Sequence, residues 1–303
     1  VPPNIANGVL AKLNGELEVD RRGVYFTATH THAGPGASTR GVLAAAFGGR
    51  YRRAVETAII DQFVGAARRA LDDLGPAAMS HYAVPVPELI KNRTRDRSLT
   101  GRLVDEWVDL VAFRRIDEER QVVLARYSAH ATVIGAGFME FSAGYPGATT
   151  DTAEQLSYAR AVEEQVCELL PVLETTVLFA AGAVGSMGPA APAGASDIER
   201  ARSMGAELGS IIAEAIPAMD RIGYRDDIDV RFAGVPARMP PIQLRIGPGV
   251  RLSPLTARLL GLWRTGRVSA LRLGPVTFVG LPVDVSGELA AAWRAEADGH
   301  LIM

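Results

Sequence analysis

The chain has 303 residues, of which 48% are hydrophobic and 22% are charged, and its formal net charge is −2. This composition supports a packed core and excludes a disordered chain, while the balanced charge excludes the basic surface expected of a nucleic-acid binder. The single cysteine, Cys167, excludes an internal disulfide and a cysteine-based metal cage. No apolar run approaches the roughly 18 residues that a membrane-spanning helix needs.

Helical and strand patterns alternate along the first half of the chain. Apolar spacing and turn residues predict a helix over 5–17, a buried strand over 24–29, a loop over 30–36, an amphipathic helix over 50–74, an edge strand over 82–86 and a polar, arginine-rich loop over 92–102. The loop over 30–36 is predicted because glycine and proline interrupt the pattern there.

The second half continues the alternation. The patterns predict strands over 107–114 and 121–129 joined by a charged turn, a helix over 152–170 that stops at Pro171, a strand over 175–181, a helix over 198–216 closed by Pro217, a hairpin of 270–273 with 276–280, and a helix over 287–297. Strands that alternate with helices indicate an α/β fold of mixed β-sheets flanked by α-helices.

Three of the five histidines stand where a predicted strand gives way to a loop, which is where ligands bind in α/β sheets. His30 and His32 are separated by one residue, so an extended backbone would point both imidazoles the same way. Such a pair can serve one metal ion, and it can equally be an exposed or capped pair. His130 ends the strand over 121–129; taken alone, it also fits a buried core histidine.

A catalytic zinc site needs three protein ligands and one open position. Because Cys167 lies within a predicted helix, the third ligand must be a carboxylate or another histidine. Asp284 is a candidate, since it follows a buried strand and a Gly-Leu-Pro turn. Alternatively, Asp284 or Ser286 caps the helix over 287–297. Glu288 is interpreted as a first-turn charge that complements the helix dipole.

Residues 28–36 read Ala-Thr-His-Thr-His-Ala-Gly-Pro-Gly, which closely resembles the T-H-T-H-S-G-P motif of the neutral (alkaline, non-lysosomal) ceramidases. These are zinc-dependent amidases that cleave the N-acyl bond of ceramide. Further resemblances follow in the family's order: 92–94 to N-R-S-P, 129–132 to the second histidine motif, 142–147 to S-x-D-Y-P-G, 185–189 to G-D-V-S-P, and 282–284 to P-G-E. The ordered set spans most of the chain.

The resemblance implies a role for each matching residue. His30 and His130 would be zinc ligands, with Asp284 in place of the family's glutamate ligand. His32 and Arg93 would flank the substrate carbonyl and stabilise the developing oxyanion. Zn²⁺ would act as a Lewis acid and lower the pKa of a bound water or hydroxyl.

The resemblance also implies the substrate and the compartment. The substrate would be a small-molecule or lipid amide, with ceramide giving a sphingoid base and a fatty acid, and a lipid substrate would be met at a membrane surface. The family's members are mostly secreted or face the outside of the membrane, so an extracytoplasmic location, secreted or periplasmic, is expected. The patterns say nothing about oligomeric state.

Because the sequence departs from the family's motifs, two candidates for the nucleophile are compatible with it. The family's nucleophilic serine aligns with Gly188, and Ser186 stands two residues earlier. Either Ser186 takes this role, or zinc-activated water attacks without a covalent intermediate. The family's tyrosine ligand would follow Asp284, but no tyrosine follows Tyr224. We expect one divergent or partial catalytic domain over 1–303, without the family's first strands and its C-terminal immunoglobulin-like domain.

Three functions are compatible with these observations. The first is a zinc-dependent hydrolase of linear N-acyl amides. The second is a binding protein that has kept the fold and lost catalysis, as the missing serine and tyrosine suggest. The third is a metal-dependent esterase or peptidase of related geometry. Chelator-sensitive turnover of an N-acyl amide separates the first from the second, and a substrate panel separates the first from the third.

Overall fold

The computed structural model describes residues 1–94, 103–168, 173–238, 245–247, 249–253, 255–256, 265–297 and 300–302. The helices in these ranges are α1 (Pro3–Leu17), α2 (Val42–Gly48), α3 (Arg53–Asp72), α4 (Gly144–Glu168), α5 (Asp197–Ile222) and α6 (Gly287–Glu296). The strands are β1 (Ala77–Pro85), β2 (Ile90–Asn92), β3 (Trp107–Arg115), β4 (Arg120–Tyr127), β5 (Glu174–Ala181), β6 (Met187–Pro189), β7 (Val230–Arg238), β8 (Arg245–Gly247), β9 (Val250–Arg251), β10 (Thr265–Leu273), β11 (Val276–Gly280) and β12 (His300–Ile302).

The strands form two four-stranded sheets and two short pairs. The first sheet has the order β1-β3-β4-β5, with β4 and β5 parallel and the other neighbours antiparallel. The second has the order β12-β11-β10-β7, with only β11 and β12 parallel. The short pairs are β2 with β6 and β8 with β9. These mixed sheets flanked by helices confirm the predicted α/β class.

The first sheet is covered on both faces. Leu110 and Ala112 of β3 join the main core, which includes the buried faces of α4 and α5. The intervening Val111 packs with Val276 and Phe278 of the second sheet. Because successive side chains of a strand point to opposite faces, the alternation builds three layers: helices, first sheet, second sheet. A separate small core joins α1 to α3. No helix in the described ranges is long and apolar enough to cross a bilayer.

Most predicted elements are confirmed. They are α1, α3, the edge strand β1, the hairpin β3–β4, β5, the hairpin β10–β11 and α6. Residues 95–102 of the predicted polar loop and the predicted helix end at Pro171 lie outside the described residues.

The strand predicted over 24–29 is not formed. These residues form no strand and join neither sheet, although the Ala181 N–H donates a hydrogen bond of 2.8 Å to the Ala28 carbonyl. The β-branched and aromatic composition favours an extended backbone, but neighbouring strands decide whether a ladder forms.

Two helix boundaries also differ from the prediction. Helix α5 continues through Pro217 to Ile222, because Ile216 and Met219 are buried in the main core and tertiary packing sustains the helix beyond the proline. Helix α4 begins at Gly144, not at residue 152. There the Ser142 hydroxyl accepts the Gly144 N–H at 3.0 Å, so the segment similar to S-x-D-Y-P-G forms a helix start.

Ser286, and not Asp284, is the N-cap of α6, since its hydroxyl accepts a hydrogen bond of 3.4 Å from the Leu289 N–H. We expect Ser286→Ala to lower the free energy of unfolding by about 1 kcal/mol, because one orphan helix N–H loses its partner. Asp284→Ala, the matched control, should leave the urea midpoint of the metal-free protein unchanged. Equal destabilisation by both substitutions would contradict this assignment.

Candidate metal centre

The three histidines converge at the carboxyl ends of the parallel strands β4 and β5. His130 follows the end of β4, and the turn 182–186 follows β5. His30 and His32 follow the segment 24–29, whose Ala28 carbonyl accepts a hydrogen bond from the Ala181 N–H at the end of β5. The carboxyl ends of parallel strands are where α/β sheets bind ligands.

The geometry of the three imidazoles suits one metal ion. One ring nitrogen from each of His30, His32 and His130 lies within 4.8 Å of the corresponding nitrogens of the other two. Nε2 of His32 and Nε2 of His130 are 2.9 Å apart, and the ring centroids of His30 and His130 are 4.5 Å apart. Zinc–nitrogen bonds of roughly 2.0–2.1 Å in a tetrahedral site separate the nitrogens by about 3.3 Å. The described donor set therefore fits a tetrahedral ion with an open position.

The backbone at His30 brings the first two histidines together in an unexpected way. His30 has φ of 60°, in the left-handed region that non-glycine residues seldom occupy. The His30–His32 segment is thus turned, not extended, and yet the two ring centroids lie 5.2 Å apart. A conformation of this kind persists where the surrounding structure holds it and is frequent at functional sites.

The second ring nitrogen of His130 has two polar neighbours. Nδ1 lies 3.1 Å from the Val184 carbonyl and 2.7 Å from Nη2 of Arg93. Arg93 also donates to the carbonyls of Val184 and Gly185, at 3.4 and 3.2 Å. If the proton is on Nδ1 and is donated to Val184, the Nε2 lone pair faces His32 and the common site. A backbone carbonyl commonly fixes a metal-ligating histidine in this way.

Burial and neighbouring charge keep two of the imidazoles neutral. Burial lowers the pKa of His130 to about 4, with contributions from Arg93 and the other two histidines, while the bond to Val184 opposes the shift. Burial and the proximity of His30 also lower the pKa of His32. A neutral imidazole is the form that binds a metal ion, so both rings are in the ligating state at neutral pH.

Asp284 lies at the margin of the three-histidine group. Its Oδ2 is 3.8 Å from Nε2 of His30, and its side chain is 56% exposed. The structure therefore gathers His30, His130 and His32, and places the predicted carboxylate beside them. His32 therefore lies among the possible ligands.

A cavity of about 150 Å³ opens beside His30 and Asp284. Its lining is mixed: apolar side chains such as Tyr25, Phe26, Val279 and Leu281 alternate with polar groups, among them Thr27, His30 and Asp284. The cavity thus offers both apolar and polar groups next to the histidines, as small-molecule sites commonly do.

Ser186 is buried, and its hydroxyl is hydrogen-bonded to groups other than the three histidines. It is 7% exposed, its hydroxyl donates to Oε2 of Glu288, and the Gly287 N–H donates to it at 3.0 Å. Burial raises the pKa of Glu288, but the hydrogen bonds from Ser186 and Asn92 outweigh this and hold that pKa below its usual range. The buried position of Glu288 has no signal in its local sequence, because its side-chain partners lie 102 and 196 residues away.

Comparison with solved structures identifies a known fold. The chain superposes on neutral ceramidase from Pseudomonas aeruginosa with a TM-score of 0.72 and 16% identity, covering 99% of this chain and 56% of that one. A ceramidase complexed with C2 gives a TM-score of 0.70 and 15% identity, with coverages of 99% and 57%. The chain thus has a ceramidase-like fold, as predicted, and spans little more than half the length of these proteins. No family model matches the chain, and no curated protein matches it in sequence.

Proposed function

We propose that residues 1–303 form one catalytic unit, a zinc-dependent hydrolase of linear N-acyl amides. The observation that carries this proposal is the convergence of His30, His32 and His130 beside Arg93 in a ceramidase-like fold. The histidines would hold Zn²⁺, with Asp284 in reach as a further ligand. When bound, zinc supplies a Lewis acid that polarises a carbonyl and acidifies water.

Arg93 would stabilise developing charge, and His130, held in a fixed orientation, would bind the metal ion. The Arg93 guanidinium lies next to His130, so it can stabilise negative charge that develops on the carbonyl oxygen. The backbone carbonyls of Val184 and Gly185 hold that guanidinium in place. His130 keeps its orientation through Val184.

Water supplies the attacking oxygen in this proposal. A nucleophilic serine needs a base that accepts its proton and an open path to the carbonyl. The Ser186 side chain is buried, and its hydroxyl donates a hydrogen bond to Glu288, whose lowered pKa makes that carboxylate a weak base. Gly188, at the family's serine position, has no side chain. The products are a carboxylic acid and an amine.

Because the lining of the cavity beside His30 is mixed polar and apolar, the proposal of a lipid amide rests on the ceramidase-like fold and not on the cavity. The cavity volume of about 150 Å³ is below the roughly 300–1,000 Å³ of pockets that enclose a whole drug-sized ligand, so it would hold only part of a lipid chain. The proposal thus includes ceramide-like substrates met at a membrane surface, and with them an extracytoplasmic location.

Zinc removal provides the test of this function. The wild-type protein should release fatty acid from a fluorescent short-chain N-acylsphingosine, lose this activity in a strong chelator, and regain it when Zn²⁺ is added back. A simple N-acyl amine and the matching ester, assayed in parallel, determine whether the protein is an amidase or an esterase. A zinc-loaded protein that turns over none of these compounds would contradict the proposal and favour a binding protein of ceramidase-like fold.

A further inference from the structure

A buried polar bridge lies beside Arg93. It consists of Ser186, Glu288 and Asn92, and Glu288 is its centre. The two carboxylate oxygens of Glu288 have different partners: Ser186 donates its hydroxyl to Oε2, and Asn92 donates Nδ2 to Oε1 at 2.5 Å. Glu288 is 9% exposed and Ser186 is 7% exposed.

Both hydrogen-bond partners of Glu288 are connected to the backbone of Arg93, one by a peptide bond and the other by a hydrogen bond. Asn92 is the preceding residue, and its side-chain oxygen also accepts the Thr94 N–H at 2.8 Å. On the other side, the Arg93 N–H donates to the Ser186 carbonyl at 2.8 Å. The register of β2 with β6 continues this contact, since Asn92 pairs with Met187. One carboxylate therefore joins the two backbone segments that hold Arg93.

The helix dipole alone does not explain why the Glu288 carboxylate is buried. A carboxylate in the first turn of α6 complements the dipole equally well when it faces solvent. Burying it costs free energy unless hydrogen bonds replace its water. Here both oxygens are used by groups from elsewhere in the chain, which makes the carboxylate a connection between α6 and the Arg93 segment.

We propose that Glu288 is a positioning residue that acts through Arg93. It ties Asn92 to Ser186 and so keeps the Arg93 guanidinium on the Val184 and Gly185 carbonyls, next to His130. The effect of Glu288 on catalysis rests on the proposed amidase function, whereas its effect on the position of Arg93 does not. It also gives the Ser186 hydroxyl a structural role in place of a nucleophilic one.

Glu288→Gln is the central variant, because glutamine offers one acceptor oxygen to two donors. We expect kcat for the N-acylsphingosine probe to fall about tenfold to a hundredfold, with KM changed less than about twofold and zinc content retained. Asn92→Ala, which opens the bridge from the other side, should act in the same direction. Glu199→Gln is the matched control: Glu199 is a first-turn glutamate of α5, hydrogen-bonded to the Ala195 N–H.

A double-mutant cycle separates positioning from general structural support. In an Arg93→Ala background, Glu288→Gln should lower kcat by less than twofold, because the group through which it acts is gone. Equal losses of kcat in both backgrounds would overturn the proposal. Ser186→Ala should cost no more than Glu288→Gln, whereas a loss above about a thousandfold would identify Ser186 as the nucleophile and also overturn it.

Crystal structures of the wild type and Glu288→Gln decide the geometry without any assay. The distance from Nη2 of Arg93 to the Gly185 carbonyl is 3.2 Å, and we expect this contact to be broken in the variant. An unchanged Arg93 conformation would overturn the proposal even in an active enzyme. If the wild type hydrolyses no amide, the proposed function fails, and these structures still decide whether Glu288 positions Arg93.

Discussion

Replacing Arg93 by alanine is expected to lower kcat for amide hydrolysis by about 10²–10³-fold, the usual cost of losing one group that stabilises an oxyanion. Arg93 is the described cation closest to the three histidines, with Nη2 2.7 Å from Nδ1 of His130. Because Arg93 is not among the proposed metal ligands, the variant should bind as much Zn²⁺ as the wild type. The measurement is steady-state kinetics together with elemental analysis.

Arg93→Lys is the matched control for this prediction. Lysine keeps the positive charge but lacks the planar fork that reaches the Val184 and Gly185 carbonyls together. Its kcat should therefore fall between those of the wild type and Arg93→Ala. A kcat within threefold of the wild type in Arg93→Ala would remove Arg93 from the mechanism.

The second large effect concerns stability, where Arg126→Met is expected to lower the free energy of unfolding by about 3–5 kcal/mol. The Arg126 side chain is 3% exposed and donates to Asp105 and, at 3.4 Å, to Asp109. Arg294 donates to Asp109 as well, at 2.9 Å, and Ser128 donates to Asp105 at 2.6 Å. Removing Arg126 leaves Asp105 buried without its cation, and an unpaired buried charge is costly. Urea denaturation measures the loss.

An exposed ion pair supplies the control for Arg126. Arg225 and Asp227 pair at 2.8 Å with side chains that are 68% and 69% exposed, and solvent screens such a pair. Arg225→Ala should leave the urea midpoint unchanged. A loss for Arg126→Met as small as that for Arg225→Ala would contradict the account of the buried network.

The same network sets a dependence of stability on pH. Burial raises the pKa of Asp105, but Arg126 and Ser128 outweigh it and hold that pKa below its usual value. The folded pKa is thus below the unfolded value of about 3.9, so Asp105 stabilises the fold above about pH 4, and this contribution is lost as the pH falls. Arg126→Met should flatten the decline in stability below pH 4.

Helices and hairpins that are defined by the spacing of nearby apolar residues can be predicted from the sequence. The helix α3 and the hairpin β3–β4 follow from apolar spacing and a charged turn. The segment over 24–29 has the composition of a strand, but its pairing depends on residues far along the chain, and it forms no ladder. Pro217 is a local stop signal that the buried face of α5 overrides.

The three-histidine group could be predicted from the sequence only in part. His130 follows strand β4, as the sequence predicts, whereas His30 follows the segment 24–29, which forms no strand. The left-handed backbone at His30 has no signal in the local sequence, and the contact of His32 with His130 joins residues 98 positions apart. From the sequence alone, Glu288 can be interpreted only as a helix-dipole charge, since its hydrogen bond to Asn92 joins residues 196 positions apart.

The most direct test of the account is the zinc content of the purified protein, wild type beside His30→Ala, His32→Ala and His130→Ala, after dialysis against buffered Zn²⁺. We predict about one zinc per chain in the wild type and less than a tenth of that in His130→Ala and His30→Ala, because each variant loses one of the three converging imidazoles. His32→Ala should bind zinc more weakly than the wild type. His81→Gln, which changes a histidine of the edge strand β1, should retain the full content. A wild type that binds no zinc, or a His130→Ala variant that binds as much as the wild type, would contradict the metal centre proposed here.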